Sequence, residues 1–280
     1  GERSPTTLRP MRIARFVHND TIAFGTVELD EDRGEHPNTV AVLNGDPLVT
    51  AVQYTGERLL LDDVRLVAPI IPRSKVVAIG RNYAAHAAEF GNEVPEEPMT
   101  FLKPNTSVIG SGEPIIYPKQ TTAVDHEGEL AVVIGRICKD VPVERVPEVI
   151  FGYTCSNDVS ARDLQQRDKQ WGRAKGFDTF CPLGPWIVTH LSLEEASDLA
   201  LRVTVTRNGE TLERQSSTTK NLVHGIAELV SFVSSFTTLL PGDVILTGTP
   251  EGVGRIEPGD VVDVEIEGIG TLSNPVVAAE

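Results

Sequence analysis

An α+β fold that is mainly β is what this sequence predicts, on three observations. Short alternating or β-branched runs dominate the chain, and such runs favour strands. Only one long stretch has helical spacing: Leu222, Ile226, Leu229, Val230, Val233 and Phe236 recur at three- and four-residue intervals. Two Pro-Gly-Asp-Val units, Pro241–Val244 and Pro258–Val261, each lead into an apolar run, and Pro-Gly suits the central positions of a type II turn. So few helices among so many strands argue against a doubly wound α/β sheet.

Taken in order, Arg12–Val17, Thr21–Val27, Thr39–Leu43 and Val64–Ala68 are the expected strands of a small N-terminal domain, residues 11–70. Pro69-Ile70-Ile71-Pro72 reads as an extended crossing, because each proline restricts itself and its predecessor. Residues 71–280 then form the larger domain. Lys75–Gly80 is a strand, Asn82–Phe90 a short Ala-rich helix stopped by Gly91, and Asn92–Pro98 an acidic, Pro-bearing loop. Met11 reads as a natural start, which leaves Gly1–Pro10 as an appended remnant or an extended N-terminus.

A chain of 280 residues is long enough to bury a substantial core. Its net charge of −15 argues against nucleic-acid or anionic-membrane binding, which need a basic face. Cys138, Cys155 and Cys181 form no Cys-x-x-Cys pair, a sparse set that suits a reducing cytosol. Residues 1–10 show no signal-peptide pattern, and no stretch approaches the roughly 18 apolar residues of a membrane helix.

The segment Asp125-His126-Glu127-Gly128-Glu129-Leu130-Ala131-Val132-Val133-Ile134 carries the main chemical signal. In a strand, side chains at i and i+2 share a face, so Glu127 and Glu129 project together. Two such carboxylates repel unless a cation or a shared proton relieves them. A divalent metal is the simplest relief, and Asp158, ending the run Phe151–Asp158, could complete the cluster. A solvated strand end would show the same pair. His86 and Glu89 share a helix face at i and i+3, as a general base and its orienting acid would, or as a surface ion pair would. Arg81, Lys103, Arg162 and Lys175 are positive charges near these segments. Arg162 and Gln165 stand one and two turns along if a helix begins at Asp158. Lys175 could bind a carboxylate or form a Schiff base. The Gly-rich stretch Thr247–Gly254 could offer N–H groups to an anion, but it lacks both the P-loop lysine and a following helix. Cys155 reads as a buried small residue, and Trp171 and Trp186 as packing.

Six ordered motifs over roughly residues 70–277 resemble the fumarylacetoacetate hydrolase family. They are Gly80–Glu89, Phe101–Pro104, His126–Leu130, Asn157–Gln165, Ala174–Asp178 and Leu246–Pro250. The resemblance implies a mixed β-sandwich roll assembled as a homodimer, with Glu127, Glu129 and Asp158 as metal ligands. It implies His86 with Glu89 as a water-activating dyad on a helix that orders over substrate, with Lys175 beside them. Arg81, Tyr83, Lys103, Arg162, Gln165 and Thr249 would surround the substrate. The single-copy domain with its small N-terminal extension resembles bacterial acylpyruvase and oxaloacetate decarboxylase members. The implied activity is cleavage of a 2,4-dioxo acid or decarboxylation of oxaloacetate. A 2-hydroxyhepta-2,4-diene-1,7-dioate isomerase or decarboxylase is the alternative, and a non-catalytic metal-binding domain the contrasting class. Three carboxylate ligands suit Mg²⁺, Mn²⁺ or Ca²⁺ and disfavour zinc.

Overall fold

The computed structural model describes residues 11–34 and 36–280, so the expectation for Gly1–Pro10 lies outside the described residues. The N-terminal strands Arg12–His18, Thr21–Glu28, Thr39–Leu43 and Tyr54–Leu60 form an antiparallel meander. Asn19 and Asp20, both at positive φ (50° and 59°), make its first turn, since short polar side chains tolerate the backbone a two-residue hairpin needs. The strand expected at Val64–Ala68 is the shorter Arg65–Val67. Tyr54–Leu60 was not anticipated: six of its seven residues are exposed, and an edge strand facing water leaves no apolar period to read.

This meander is continuous with the larger domain. Arg12 and Ile13 pair with Val188 and Ile187 of the strand Cys181–Val188, producing one sheet of twelve strands among the described residues. Beyond Cys181–Val188 the order runs Ile150–Asn157, Gly128–Ile134, Val244–Leu246, Val76–Gly80 and Met99–Lys103. A five-stranded sheet, built on Ala200–Arg207, Val261–Ile266 and Gly270–Ala278, packs on its centre. The observed fold is therefore the mainly-β, layered arrangement expected.

Gly128–Ile134 explains the layering. Leu130, Val132 and Ile134 join the core shared with Val203 and Val264 of the second sheet. Ala131 and Val133 point the other way, among Val76, Ala78 and Leu246. A strand buried on both faces loses the polar alternation of a surface strand and reads as a continuous apolar run. Gly242 and Gly259 have φ of 89° and 97°, the left-handed position a type II turn requires after proline, and the strands Val244–Leu246 and Val261–Ile266 follow. The long helix is Ile226–Phe236, which buries Ile226, Leu229, Val230 and Val233. Leu222 lies outside it, because Gly225 at ψ 169° breaks the helical backbone. Among the described residues, no helix is long and apolar enough to cross a membrane.

Candidate active site

Antiparallel pairing of Gly128–Ile134 with Ile150–Asn157 brings the three acids together. Gly128 stands opposite Asn157, and the Asp158 N–H donates to the Glu127 carbonyl at 2.8 Å. Glu127 itself occupies the break between the strands Val124–His126 and Gly128–Ile134 rather than the head of a continuous strand. Its carboxylate still converges with those of Glu129 and Asp158: candidate ligand atoms of the three all lie within 4.8 Å of one another. None of the three residues is more than 4% exposed, so the solvated alternative fails.

The Glu129 carboxylate has a divided environment. Oε1 accepts the Gly248 N–H at 2.8 Å, while Oε2 is buried without a partner. Gly248 has φ of 110°, and a Cβ there would lie 2.8 Å from the Asn82 Cβ, so glycine alone fits. Burial, then the charges of Asp158 and Glu127, push the Glu129 carboxyl well above the usual carboxylate range. Burial also pushes Glu127 upward, but Lys175, Arg162 and His86 outweigh it and hold that carboxyl well below its ordinary value. A buried oxygen with no donor, beside two carboxylates, is what a cation would satisfy. The all-oxygen donor set fits a hard divalent ion.

Cations close around the triad. Lys175 Nζ lies 3.3 Å from Glu127 Oε1 and 3.1 Å from Asp158 Oδ2, below the Phe101 ring. Arg162 opens the helix Arg162–Asp168, later than the start anticipated at Asp158. Its guanidinium donates to Asp125 at 2.9 Å, Glu127 at 2.6 Å and Gln165 at 3.1 Å, and stacks over Phe90. Arg255 also binds Asp125. Arg81, by contrast, lines the pocket with no hydrogen bond or ion pair to the described residues, in a left-handed conformation with φ of 55°. Strain of that kind, about 1–3 kcal/mol, persists only where neighbours enforce it.

The helix Ala84–Glu89 roofs a pocket of about 270 Å³. His86 Nδ1 donates to Glu89 Oε1 at 2.9 Å, and Glu89 Oε2 accepts the Gly252 N–H at 2.9 Å. His86 lines the pocket together with Glu127, Asp158 and Lys175; Arg162, Gln165 and Thr249 line it as well. Glu129 lies beneath this surface.

Two expected substrate contacts lie elsewhere. Lys103, 1% exposed, is sealed behind the triad, where it binds Asp158 and donates to the Val159 carbonyl at 3.2 Å. It holds the Asp158 carboxylate and does not line the pocket. Tyr83 is 2% exposed, its hydroxyl buried without a partner, and burial with Glu129 and Glu251 raises its pKa. As the residue before the roof helix, it points into protein. Cys155 and Cys181 are free and fully buried; burial raises both thiols, Cys181 to about 12, which leaves neither as a nucleophile.

Gln215 went unnoticed in the sequence. It accepts from His126 Nδ1 and the Gly128 N–H, and its amide donates to Thr249 Oγ1 and the Pro250 carbonyl. Thr249 in turn donates to the Gly128 carbonyl at 2.8 Å. Burial pushes the His126 imidazole down to about 4, so this buried ring is neutral. The network fixes the loop that carries Gly248 and the segment that carries Glu127. A single glutamine in an otherwise exposed strand, Glu210–Thr218, offers no sequence signal for it.

Residues 75–277 match the family profile described as fumarylacetoacetate (FAA) hydrolase, C-terminal. The chain belongs to the fumarylacetoacetate hydrolase family. Residues 11–69 match a second profile, Rv2993c-like, N-terminal. A solved structure described as 5-carboxymethyl-2-hydroxymuconate delta-isomerase from Mycobacterium smegmatis is 53% identical, with TM-score 0.85 over 96% of this chain and 100% of that one. Oxaloacetate tautomerase fahd2, mitochondrial, from Xenopus laevis is 43% identical over 77% of this chain and 69% of the relative. Maleylpyruvate hydrolase from Sphingobium sp. SYK-6, solved with manganese (II) ion and pyruvate, is 29% identical, with TM-score 0.76 over 96% of this chain and 100% of that one. The family thus includes hydrolases and isomerases on closely similar frames.

Proposed function

We propose that this family member is a divalent-metal-dependent enzyme that cleaves 2,4-dioxo acids as an acylpyruvate hydrolase and decarboxylates oxaloacetate to pyruvate. The observation that carries the reading is the His86–Glu89 pair on the roof of a pocket floored by the carboxylates of Glu127 and Asp158. Glu127, Glu129 and Asp158 would hold the ion, Mg²⁺ or Mn²⁺ with Ca²⁺ as a third candidate, and the manganese-bound relative supports that assignment. Once held, such an ion supplies Lewis acidity that draws electron density toward a 2-oxo oxygen.

The chain's own groups supply the rest. Arg81, free of any partner among the described residues, and Lys175 attract a small anion that the acidic surface repels. Because Glu89 takes the Nδ1–H of His86, the Nε2 lone pair is free to act as base. In hydrolysis, Nε2 takes a proton from a water as its oxygen attacks the C4 carbonyl. The C3–C4 bond then breaks, C3 keeps the electron pair, and the proton held on His86 returns to C3. The products are pyruvate and the carboxylic acid of the acyl group. Oxaloacetate carries a carboxylate at C4, so CO₂ leaves without an attacking water, and C3 takes its proton from solvent, with His86 needed only as a relay.

The 53% identity to a protein described as a delta-isomerase supports a second reading, in which the same base moves a proton within an unsaturated 2-hydroxy diacid and no bond to carbon breaks. Turnover of acetylpyruvate, oxaloacetate and 2-hydroxyhepta-2,4-diene-1,7-dioate with Mg²⁺ or Mn²⁺ separates the two. Exclusive activity on the dienedioate would overturn the first. Assembly as a homodimer, in a reducing compartment that suits three free cysteines, belongs to the same proposal and is checked by light scattering.

A further inference from the structure

His224 is a buried histidine that the chemistry above does not use. It is 7% exposed and stands just before Gly225, the cap of the helix Ile226–Phe236. Its ring touches two acceptors. Nδ1 lies 2.8 Å from Glu228 Oε1, one turn along, and Nε2 lies 3.0 Å from the carbonyl oxygen of Pro95. Its main chain is tied to Asn82, whose side chain accepts the His224 N–H at 2.8 Å and donates to the His224 carbonyl at 3.0 Å. The Val223 N–H donates to the Asn82 carbonyl at 2.9 Å. A single short stretch, residues 223–224, therefore grips both ends of the segment 82–95. Between those ends lie His86 and Phe90, which line the pocket, and Glu89, which binds His86.

We propose that His224 is a positioning residue whose doubly protonated ring latches the pocket roof through Pro95. This rests on the reading above that His86 acts on substrate within the pocket. The chemistry of the two partners sets the requirement. A carbonyl oxygen can only accept, and so can an ionised carboxylate, so each ring nitrogen must carry a proton for both bonds to form. A neutral ring serves one partner and turns a lone pair toward the other. The charged side chains on the elements that meet the ring are Glu228 on its own helix, Lys220 on the turn before it, and Glu93, Glu96 and Glu97 on the segment that bears Pro95. Asn82, which holds the main chain, is neutral. When the ring loses a proton the far end of the roof is released, while Asn82 still holds its near end. The roof then opens on a fixed hinge and carries His86 away from the carboxylates.

Hydrogen exchange on the 280-residue chain tests this with no need of turnover. Peptides spanning 84–98 are followed from about pH 5.5 to about pH 8.5, with intrinsic rates corrected for pH. In the parent, protection of this segment falls on the order of ten-fold as pH rises, the scale of one charged hydrogen bond. His224→Leu shows the unlatched level at every pH. His224→Gln, which keeps an N–H donor but cannot titrate, restores partial protection that does not change with pH. His86 is present in all three proteins, so its own titration cancels in the comparison. Peptides of the strand Gly128–Ile134 report whether a variant is globally damaged. In turnover, His224→Leu raises KM several-fold more than it lowers kcat, and His224→Gln recovers most of the loss. Parent protection that is flat with pH would overturn the latch. So would equal protection of 84–98 in parent and His224→Leu, or a loss spread equally over 128–134. If none of the substrates turns over, the proposed activity fails, and the exchange result still decides the latch.

Discussion

Replacing Glu129 with Gln fixes that side chain in an uncharged form and leaves the shape of the triad. The Gln Oε1 can still accept the Gly248 N–H, and the amide nitrogen takes the place of the oxygen that has no partner. Two unit charges at the 4.8 Å that bounds the cluster repel by about 3.5 kcal/mol at an effective dielectric constant of ~20. Metal-free Glu129 avoids that repulsion by keeping its proton, since burial and the charges of Asp158 and Glu127 raise its pKa well above the usual range. The folded state then holds a proton that the unfolded state has released. Stability of the metal-free protein therefore falls as pH rises above the ordinary glutamate value, by at most about 1.4 kcal/mol per pH unit, until the raised value is passed. Glu129→Gln has no such proton, so this component of the slope vanishes and the metal-free variant is the more stable protein at neutral pH. Manganese reverses the ranking. At a hundred times its Kd it stabilises the parent by about 2.7 kcal/mol, roughly 5–10 °C in Tm for a chain of this size. The variant, short of one charged ligand, shifts far less. Thermal melts in EDTA and in Mn²⁺, at pH 5.5 and 7.5, measure all four states. An equal Mn²⁺ shift in parent and variant would refute the ligand assignment. A metal-free variant less stable than the parent at pH 7.5 would refute the electrostatic argument.

Three further outcomes follow from the same geometry. His86→Ala is expected to lose acylpyruvate hydrolysis by on the order of 10²-fold or more and oxaloacetate decarboxylation by less; kcat/KM for both substrates checks this, and equal losses would sink the water-activating role. Arg81→Met is expected to raise KM for oxaloacetate about ten-fold while sparing kcat, because a cation of the pocket lining with no partner among the described residues is lost; steady-state kinetics with an unchanged KM would exclude substrate contact. Lys103→Met is expected to destabilise the metal-free protein by about 3 kcal/mol, the low end for breaking a buried pair, because Lys175 still reaches Asp158; urea unfolding in EDTA measures it, and a change under 1 kcal/mol would show that Lys175 alone suffices.

Local spacing carried much of this site into the sequence. Glu127 with Glu129, and His86 with Glu89, sit two and three residues apart, so each pair reads as sharing one side, and the carboxylates of Glu127 and Glu129 do converge although Glu127 stands in a break between strands. Gly128–Ile134 was legible because burial on both faces makes its run Leu130–Ile134 uniformly apolar. The two Pro-Gly turns were legible because the backbone they require suits few other residues. What escaped depends on contacts across the chain. Lys103 reads as one more positive charge until Asp158, 55 residues away, is placed against it. Gln215 meets Gly128 across 87 residues and Asn82 meets His224 across 142, and no local period records such a bond. Tyr54–Leu60 is a strand only because Thr39–Leu43 offers it a free edge, and the N-terminal meander joins the main sheet through the pairing of Arg12 and Ile13 with Val188 and Ile187. Side-chain periodicity reports which face of an element is buried. The partner that buries it, and the charges that partner brings, exist only once the chain has closed on itself.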